Sequence, residues 1–192
     1  NSIRNYIIKN EPHLASNYLA QFATLMRKIL DASAQSFIYM EDEMDMLKLY
    51  LELELMRFNQ RFSYSIDIDE AVKQANYKIP SMVLQPFIEN AIWHGLLNKE
   101  DGIGKLSISF TEVENNEDQI LCTITDNGIG RAKSASFKNE LKQHKSKGLE
   151  ITKDRLIRLS NHEIMEPINF EDLYDEQGIA CGTKVNIYLP VS

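Results

Sequence analysis

Leu84-Gln85-Pro86-Phe87-Ile88-Glu89-Asn90-Ala91-Ile92-Trp93-His94-Gly95 is the stretch on which the fold of this chain turns. It sits in a helical pattern running from about Met82 to Leu97. Val83, Leu84, Phe87, Ile88, Ala91, Ile92 and Gly95 form two adjacent columns at four-residue spacing, which marks a buried face. Gln85, Pro86, Glu89, Asn90, Trp93 and His94 collect on the opposite face. Asn90 and His94 are one turn apart and point the same way, and Trp93 shares their side of the helix. On an arbitrary helix such a face is solvated surface and nothing more; its surroundings decide whether it does chemistry.

Downstream, the apolar period changes to two. Leu106, Ile108 and Phe110, then Ile120, Cys122 and Ile124, then Val185, Ile187 and Leu189 alternate with polar residues, as Phe62, Tyr64, Ile66 and Ile68 do upstream. These predict strands, with a hairpin turn at Asn115-Asn116-Glu117-Asp118. One strand runs into Asp126-Asn127-Gly128-Ile129-Gly130, a carboxylate followed by two glycines that let backbone approach a ligand closely. From Arg131 to Lys147 the charge inverts: Arg131, Lys133, Lys138, Lys142, Lys145 and Lys147 stand against Glu140 alone. Such a local excess in an acidic chain suggests an anion nearby. Gly148-Leu149 opens the next helical pattern, to about Asn161, and a helix N-terminus is a natural phosphate site. Gly182-Thr183 precedes the last strand, which Pro190 closes.

Upstream, the first third is helical. Leu14, Tyr18, Phe22, Leu25, Met26 and Ile29 recur at three- and four-residue steps after Pro12, a residue tolerated in a first helical turn. A break near Ser36–Met40 precedes a second helix over about Glu41 to Asn59. Its apolar residues cover more than one stripe, which predicts packing on two sides and a partner chain. The pattern divides the chain into a helical hairpin over 1–60 and an α/β unit over 61–192. The fold class is α+β, with a mixed sheet covered by helices on one face.

Composition narrows the function. The chain has 192 residues, 43% of them hydrophobic, with 21 basic against 28 acidic side chains and a net charge of −7. That acidity excludes an indiscriminate nucleic-acid binder, which needs a basic footprint. No apolar run is long enough for a transmembrane helix. Cys122 and Cys181 are too few for a disulfide framework or a zinc site. No signal peptide is visible. The chain begins at Asn1 with an amphipathic pattern already running, and it reads as a fragment of something larger.

The order of these parts, over roughly Ile79 to Val191, resembles the ATP-binding fold of the GHKL superfamily, a two-layer α/β sandwich of Bergerat type. The stretch from Leu84 to Gly95 resembles the asparagine box of LytS-type sensor histidine kinases. Tyr50-Leu51-Glu52-Leu53-Glu54-Leu55-Met56-Arg57-Phe58 resembles that family's second dimerisation helix. The resemblance implies ATP and Mg²⁺ as cofactors. Asn90 would hold the metal, Asp126 would accept a hydrogen bond from the adenine amino group, and Thr183 would lie beside the adenine pocket. Gly128 and Gly130 match the first glycine motif and Gly148 the second; the basic segment corresponds to the lid over the phosphates.

Three departures follow. Ser146-Lys147-Gly148 stands where relatives commonly have Gly-x-Gly. Trp93 stands where many have a lysine that contacts phosphate, so Lys145, Lys147 or His94 is expected to substitute. Pro86 stands one turn before Asn90, where hydrolytic members carry a glutamate base, so phosphoryl transfer is expected rather than hydrolysis. Asn1-Ser2-Ile3-Arg4 resembles the stretch just after the family's Pro-His-Phe motif, which would put the acceptor histidine a little upstream of Asn1; none of His13, His94, His144 and His162 matches that motif. The resemblance thus implies a homodimeric kinase core on the cytoplasmic side of a bacterial inner-membrane sensor, joined to the membrane only through regions N-terminal to this chain and passing phosphate to a response regulator. A GHKL ATPase and a nucleotide-binding scaffold without kinase activity are the alternatives. Trp93, on the polar face, is expected to border the nucleotide.

Overall fold

A computed structural model of the chain describes residues 2–8, 10–136, 142–160 and 164–192, with the backbone alone at 2, 5, 135–136 and 142–147. Its elements are α1 (Ser2–Ile8), α2 (Pro12–Ser33), β1 (Phe37–Tyr39), α3 (Met40–Arg57), β2 (Phe62–Ile68), α4 (Glu70–Gln74), β3 (Lys78–Pro80) and α5 (Gln85–Asn90). A π-helical turn (Ala91–Gly95) and a 3₁₀ turn (Leu96–Asn98) extend α5. There follow β4 (Gly104–Val113), β5 (Asn116–Asp126), α6 (Gly130–Ser136), α7 (Lys142–Leu159), β6 (Ile168–Tyr174) and β7 (Ala180–Pro190).

Five strands form one sheet in the order β2-β4-β5-β7-β6. The β2–β4 pair is parallel and the other pairs are antiparallel, so the sheet is mixed. Alternation decides its faces. Leu106, Ile108, Phe110, Ile120, Cys122, Ile124, Ile187 and Leu189 point into one core beneath α3, α5 and α7. The other face carries hydroxyls and amides, with Thr123 donating to Asn186 Oδ1 at 3.0 Å. The strands over 62–68, 106–110, 120–124 and 185–189 therefore stand where alternation predicts them. β6, an edge strand, was not expected. Only Ile168 and Phe170 repeat there before Glu171-Asp172 breaks the pattern. The β4–β5 hairpin is also tighter than expected: Asn115 takes a left-handed φ of 59° and β5 starts at Asn116.

The break after α2 is not a plain loop. Phe37–Tyr39 pairs antiparallel with Lys78–Pro80, binding the start of α3 to the segment that leads into α5. Arg155 of α7 closes the same junction, donating to the Ser81 carbonyl at 2.6 Å and to Ser81 Oγ at 2.9 Å.

The helical hairpin corrects one expectation. The apolar sides of α3 were expected to need a partner chain, yet this chain covers them. Met40, Met44, Leu47 and Leu51 enter the sheet core, while Met46 and Leu53 join Leu25 and Ala32 of α2 in a second cluster. The uncovered apolar stripe lies on α2 instead, where Leu19, Phe22, Met26 and Leu30 are all exposed. Periodicity shows that α3 is apolar on two sides but does not say that an intramolecular sheet supplies one of them. The core accordingly runs across residue 60.

Candidate nucleotide site

Asp126 ends β5 and is 5% exposed. Its Oδ1 accepts a hydrogen bond from the Gly128 N–H at 2.8 Å, an Asx-type turn in which the carboxylate holds its own loop. The Thr183 N–H acts on the same carboxyl, since Thr183 is the register partner of Asp126 across β5–β7. Burial pushes Asp126 up to about 6, and the two backbone N–H groups oppose that rise only partly. A carboxyl so placed is desolvated and fixed in direction, which suits recognition of a donor at the edge of a planar base.

Glycines make this possible. A Cβ on Gly128 would lie 2.4 Å from the carbonyl carbon of Gly95, and one on Gly95 would lie 2.8 Å from Asp126 Oδ1. A Cβ on Gly182 would lie 2.0 Å from the Asp126 carbonyl oxygen. Three chain segments thus meet at Asp126 at backbone-to-backbone distance. Gly130 (φ +76°) starts α6 beside Ala180, in a conformation that favours glycine. Gly95 and Gly182 were not among the expected site residues. Gly95 read only as a small member of a buried column, and Gly182 only as a strand opener.

Asn90 is half-buried at the junction where the α-helix gives way to the π turn. Its side chain has no hydrogen-bond partner among the described residues. His94, half-buried, lies further along the same turn, and its carbonyl accepts from Asn98 Nδ2 at 3.3 Å. π-helical insertions are rare and concentrate at functional sites. The expected helix over 82–97 is therefore real in outline but carries three hydrogen-bonding registers.

Two expectations fail here. Trp93 does not border the site: its indole packs on the C-terminal end of α3, with the Arg57 guanidinium 4.5 Å from the ring centroid and Phe58 edge-on at 5.3 Å. A large apolar ring gains more from that contact than from a wet cleft. Gly148 does not open a helix, because α7 begins at Lys142 and Gly148 lies inside it, its carbonyl accepting from Thr152 Oγ1 at 2.9 Å. Lysine and glutamine are good helix formers, and one glycine costs the helix only about 1 kcal/mol. The Lys147 side chain, with those of Lys142, His144 and Lys145, lies outside the described residues, as do Lys138, Glu140 and His162 entirely. Arg131, counted with the basic segment, is held bidentately by Asp172 at 2.7 and 2.8 Å, which lowers the Asp172 carboxyl.

The structure thus brings Asp126, Gly128, Gly130 and Thr183 together with Gly95 and Gly182, and sets Asn90 and His94 on the adjoining turn. The fold is that of histidine-kinase catalytic domains, the GHKL type. The chain is similar to the histidine kinase domain of a blue-light-activated kinase from Erythrobacter litoralis, at a TM-score of 0.50, 13% identity, 96% of this chain and 82% of that one. It is also similar to the mycobacterial sensor histidine kinase MprB, at a TM-score of 0.51, 15% identity, 81% of this chain and 97% of that one.

Over nearly its whole length the chain is similar to the LytS-type sensor histidine kinases. It is 32% identical to the sensor protein LytS of Oceanobacillus iheyensis over 188 residues, 96% of this chain and 30% of that protein. A family model described as histidine kinase matches residues 1–62. The chain therefore spans about a third of the length of this relative. Among the described residues, no helix is long and apolar enough to cross a membrane.

Proposed function

We propose that this chain is the ATP-binding and dimerising core of a sensor histidine kinase, which uses Mg·ATP to phosphorylate a histidine outside residues 1–192 for relay to a response-regulator aspartate. The observation that carries this reading is the buried Asp126 carboxylate, enclosed by Gly95, Gly128 and Gly182 and held by backbone N–H groups. That arrangement selects the amino edge of adenine, with Thr183 at the side of the base. Above its elevated pKa, Asp126 is an acceptor only, which favours adenine over a base presenting a carbonyl at that position.

Asn90 supplies a neutral amide oxygen, the hard donor type that magnesium takes. Among the described residues, no group of three or more His, Cys, Asp or Glu side chains could hold a metal. A magnesium ion at Asn90 would take further ligands from nucleotide phosphates and water, as this ion commonly does, and when bound it would neutralise phosphate charge. Pro86, in the first turn of α5, offers no proton acceptor one turn before Asn90, so the site favours transfer to another side chain over water attack. In such transfer the protein works by positioning and charge neutralisation. His94, Lys147 and the rest of the basic segment would face the phosphates, and Gly148 would lie in the helix that follows.

Residues 1–60 would serve as the dimerisation and phosphotransfer hairpin and 61–192 as the catalytic unit. The exposed stripe Leu19, Phe22, Met26 and Leu30 on α2 supports pairing with a second copy, since apolar residues at three- and four-residue spacing form a helix-bundle seam. ATP as substrate places the chain on the cytoplasmic side of the membrane that carries the sensor. Calorimetric titration with Mg·ADP tests the site. Asp126→Asn and Asn90→Ala should each weaken binding at least about tenfold, roughly 1.4 kcal/mol. Unchanged affinity in both variants removes the assignment.

A further inference from the structure

Trp93 occupies a position between two groups assigned to the nucleotide, Asn90 and His94, yet it points to the helical hairpin. It is held there on several sides. The Arg57 guanidinium lies 4.5 Å from the indole centroid and 5.2 Å from that of Phe58. Phe58 meets the indole edge-on, and the Trp93 carbonyl accepts from Asn98 Nδ2 at 2.9 Å. Arg57 is oriented in turn by Glu54, whose Oε1 accepts from Nη1 at 3.4 Å. Glu54 is 5% exposed, and its Oε2 is buried without a partner of good hydrogen-bond geometry. Burial raises the pKa of this carboxyl, and the Arg57 cation and the Trp93 side chain both favour its charged form.

The end of α3 is itself constrained. Asn59 and Gln60 both take left-handed backbone angles (φ 50° and 54°), and the Gln60 N–H bonds back to the Leu55 carbonyl at 2.9 Å. Two consecutive non-glycine residues in that region store strain that surrounding contacts must hold. The π turn Ala91–Gly95 is a second uncommon conformation, and it faces the first through Trp93. Asn90 is the residue at which the π register begins.

From these contacts we infer that Trp93 is a latch, and that Arg57 and Phe58 at the end of α3 are positioning residues which set Asn90 through the π turn. The hairpin thereby governs how well the catalytic unit holds metal-bound nucleotide. The latch rests on the assignment of Asn90 to magnesium under the proposed function. It assigns Trp93 a task other than phosphate contact: the indole joins the two parts of the molecule. Releasing it lets the N-terminal end of the π turn shift, which changes the direction of Asn90, while Gly95 at the other end stays held against Asp126 and Gly128.

The test uses the full chain and two titrations, ADP with excess Mg²⁺ and ADP with a chelator. Arg57→Gln should weaken Mg·ADP binding about three- to tenfold, the scale of a partly desolvated cation–π contact. It should change metal-free ADP binding less than about twofold. Arg57→Lys, which keeps the cation, should recover part of the loss. Trp93 is the only tryptophan, so its emission in the unmodified chain should respond to Mg·ADP although its ring faces away from the site. Equal losses with and without metal would mean that Arg57 merely supports the fold, and no loss would mean that the contact is inert; either overturns the latch. So does a bound Mg·ADP complex with unchanged emission in the unmodified chain, a measurement that needs no variant to fold. Failure of the unmodified chain to bind Mg·ADP at all would instead overturn the site assignment, and the latch with it.

Discussion

The glycines at Asp126 and the glycine at 148 carry the same sequence label and have opposite surroundings. Gly95, Gly128 and Gly182 are pressed against Asp126, and Gly128 against Gly95, so closely that a single methyl group has no room. Around Gly148 a Cβ would meet nothing within 4 Å among the described residues, and the residue lies inside a lysine-rich helix. The base end of the candidate site is therefore preorganised by packed backbone from three elements. At Gly148 the backbone is engaged in its own helix. A glycine motif marks close approach only when something does approach, and that is decided by tertiary contact.

The largest expected effect tests the packed end. Gly182→Ala places a methyl carbon 2.0 Å from the Asp126 carbonyl oxygen, so the β5–β7 pair must open at the site. We expect a loss of more than about 4 kcal/mol or failure to fold, read by chemical denaturation. A variant of near-normal stability would show that the three segments are not locked together.

The next effect is electrostatic. Burial raises Asp126 from an ordinary 3.8 to about 6, so the folded state binds its proton more tightly than the unfolded state does. The stability contribution of Asp126 should then fall as pH rises from about 4 to about 6 and stay low above that. A shift of about two units corresponds to about 3 kcal/mol. Asp126→Asn should abolish that slope and stabilise the nucleotide-free chain at pH 7 while weakening adenine binding. Glu43, which accepts from the Met82 N–H at 3.0 Å and is raised to about 7 by burial, contributes a slope of the same sign in both proteins. The measurement is therefore the difference between wild type and variant at pH 4.5 and pH 7. Equal slopes would mean that Asp126 is better solvated than its burial indicates.

The smallest effect sharpens the other side. Gly148→Ala should be tolerated and should stabilise the chain by up to about 1 kcal/mol, since alanine in a helix interior loses less backbone entropy than glycine. Loss of Mg·ADP affinity in that variant would mean that nucleotide restores a glycine-dependent helix end there, and the contrast between the two regions would narrow.

Much of this was legible in the residues. Period-two alternation placed four strands because one face of the sheet is apolar and the other polar. β6 escaped because an edge strand buries too little to leave that trace. The order of the asparagine helix, Asp126-Asn127-Gly128 and Gly182-Thr183 pointed to the kinase resemblance and to the base end of the candidate site, since each depends on residue type at fixed spacing. Trp93 and the apolar sides of α3 were placed on the wrong neighbours. Periodicity shows which way a side chain points around its own helix axis, and a π turn alters even that.

The sequence by itself determined the class of fold, the helix that carries Asn90, and the carboxylate that ends β5. These follow from local pattern, which the chain carries within a few residues. Only the tertiary structure decided that α3 is shared between the hairpin and the sheet core, that Gly95 and Gly182 close on Asp126, and that Trp93 turns to Arg57. Each is a contact between segments distant in sequence, where the gain comes from burying one surface against another, and no single segment records which surface it will meet.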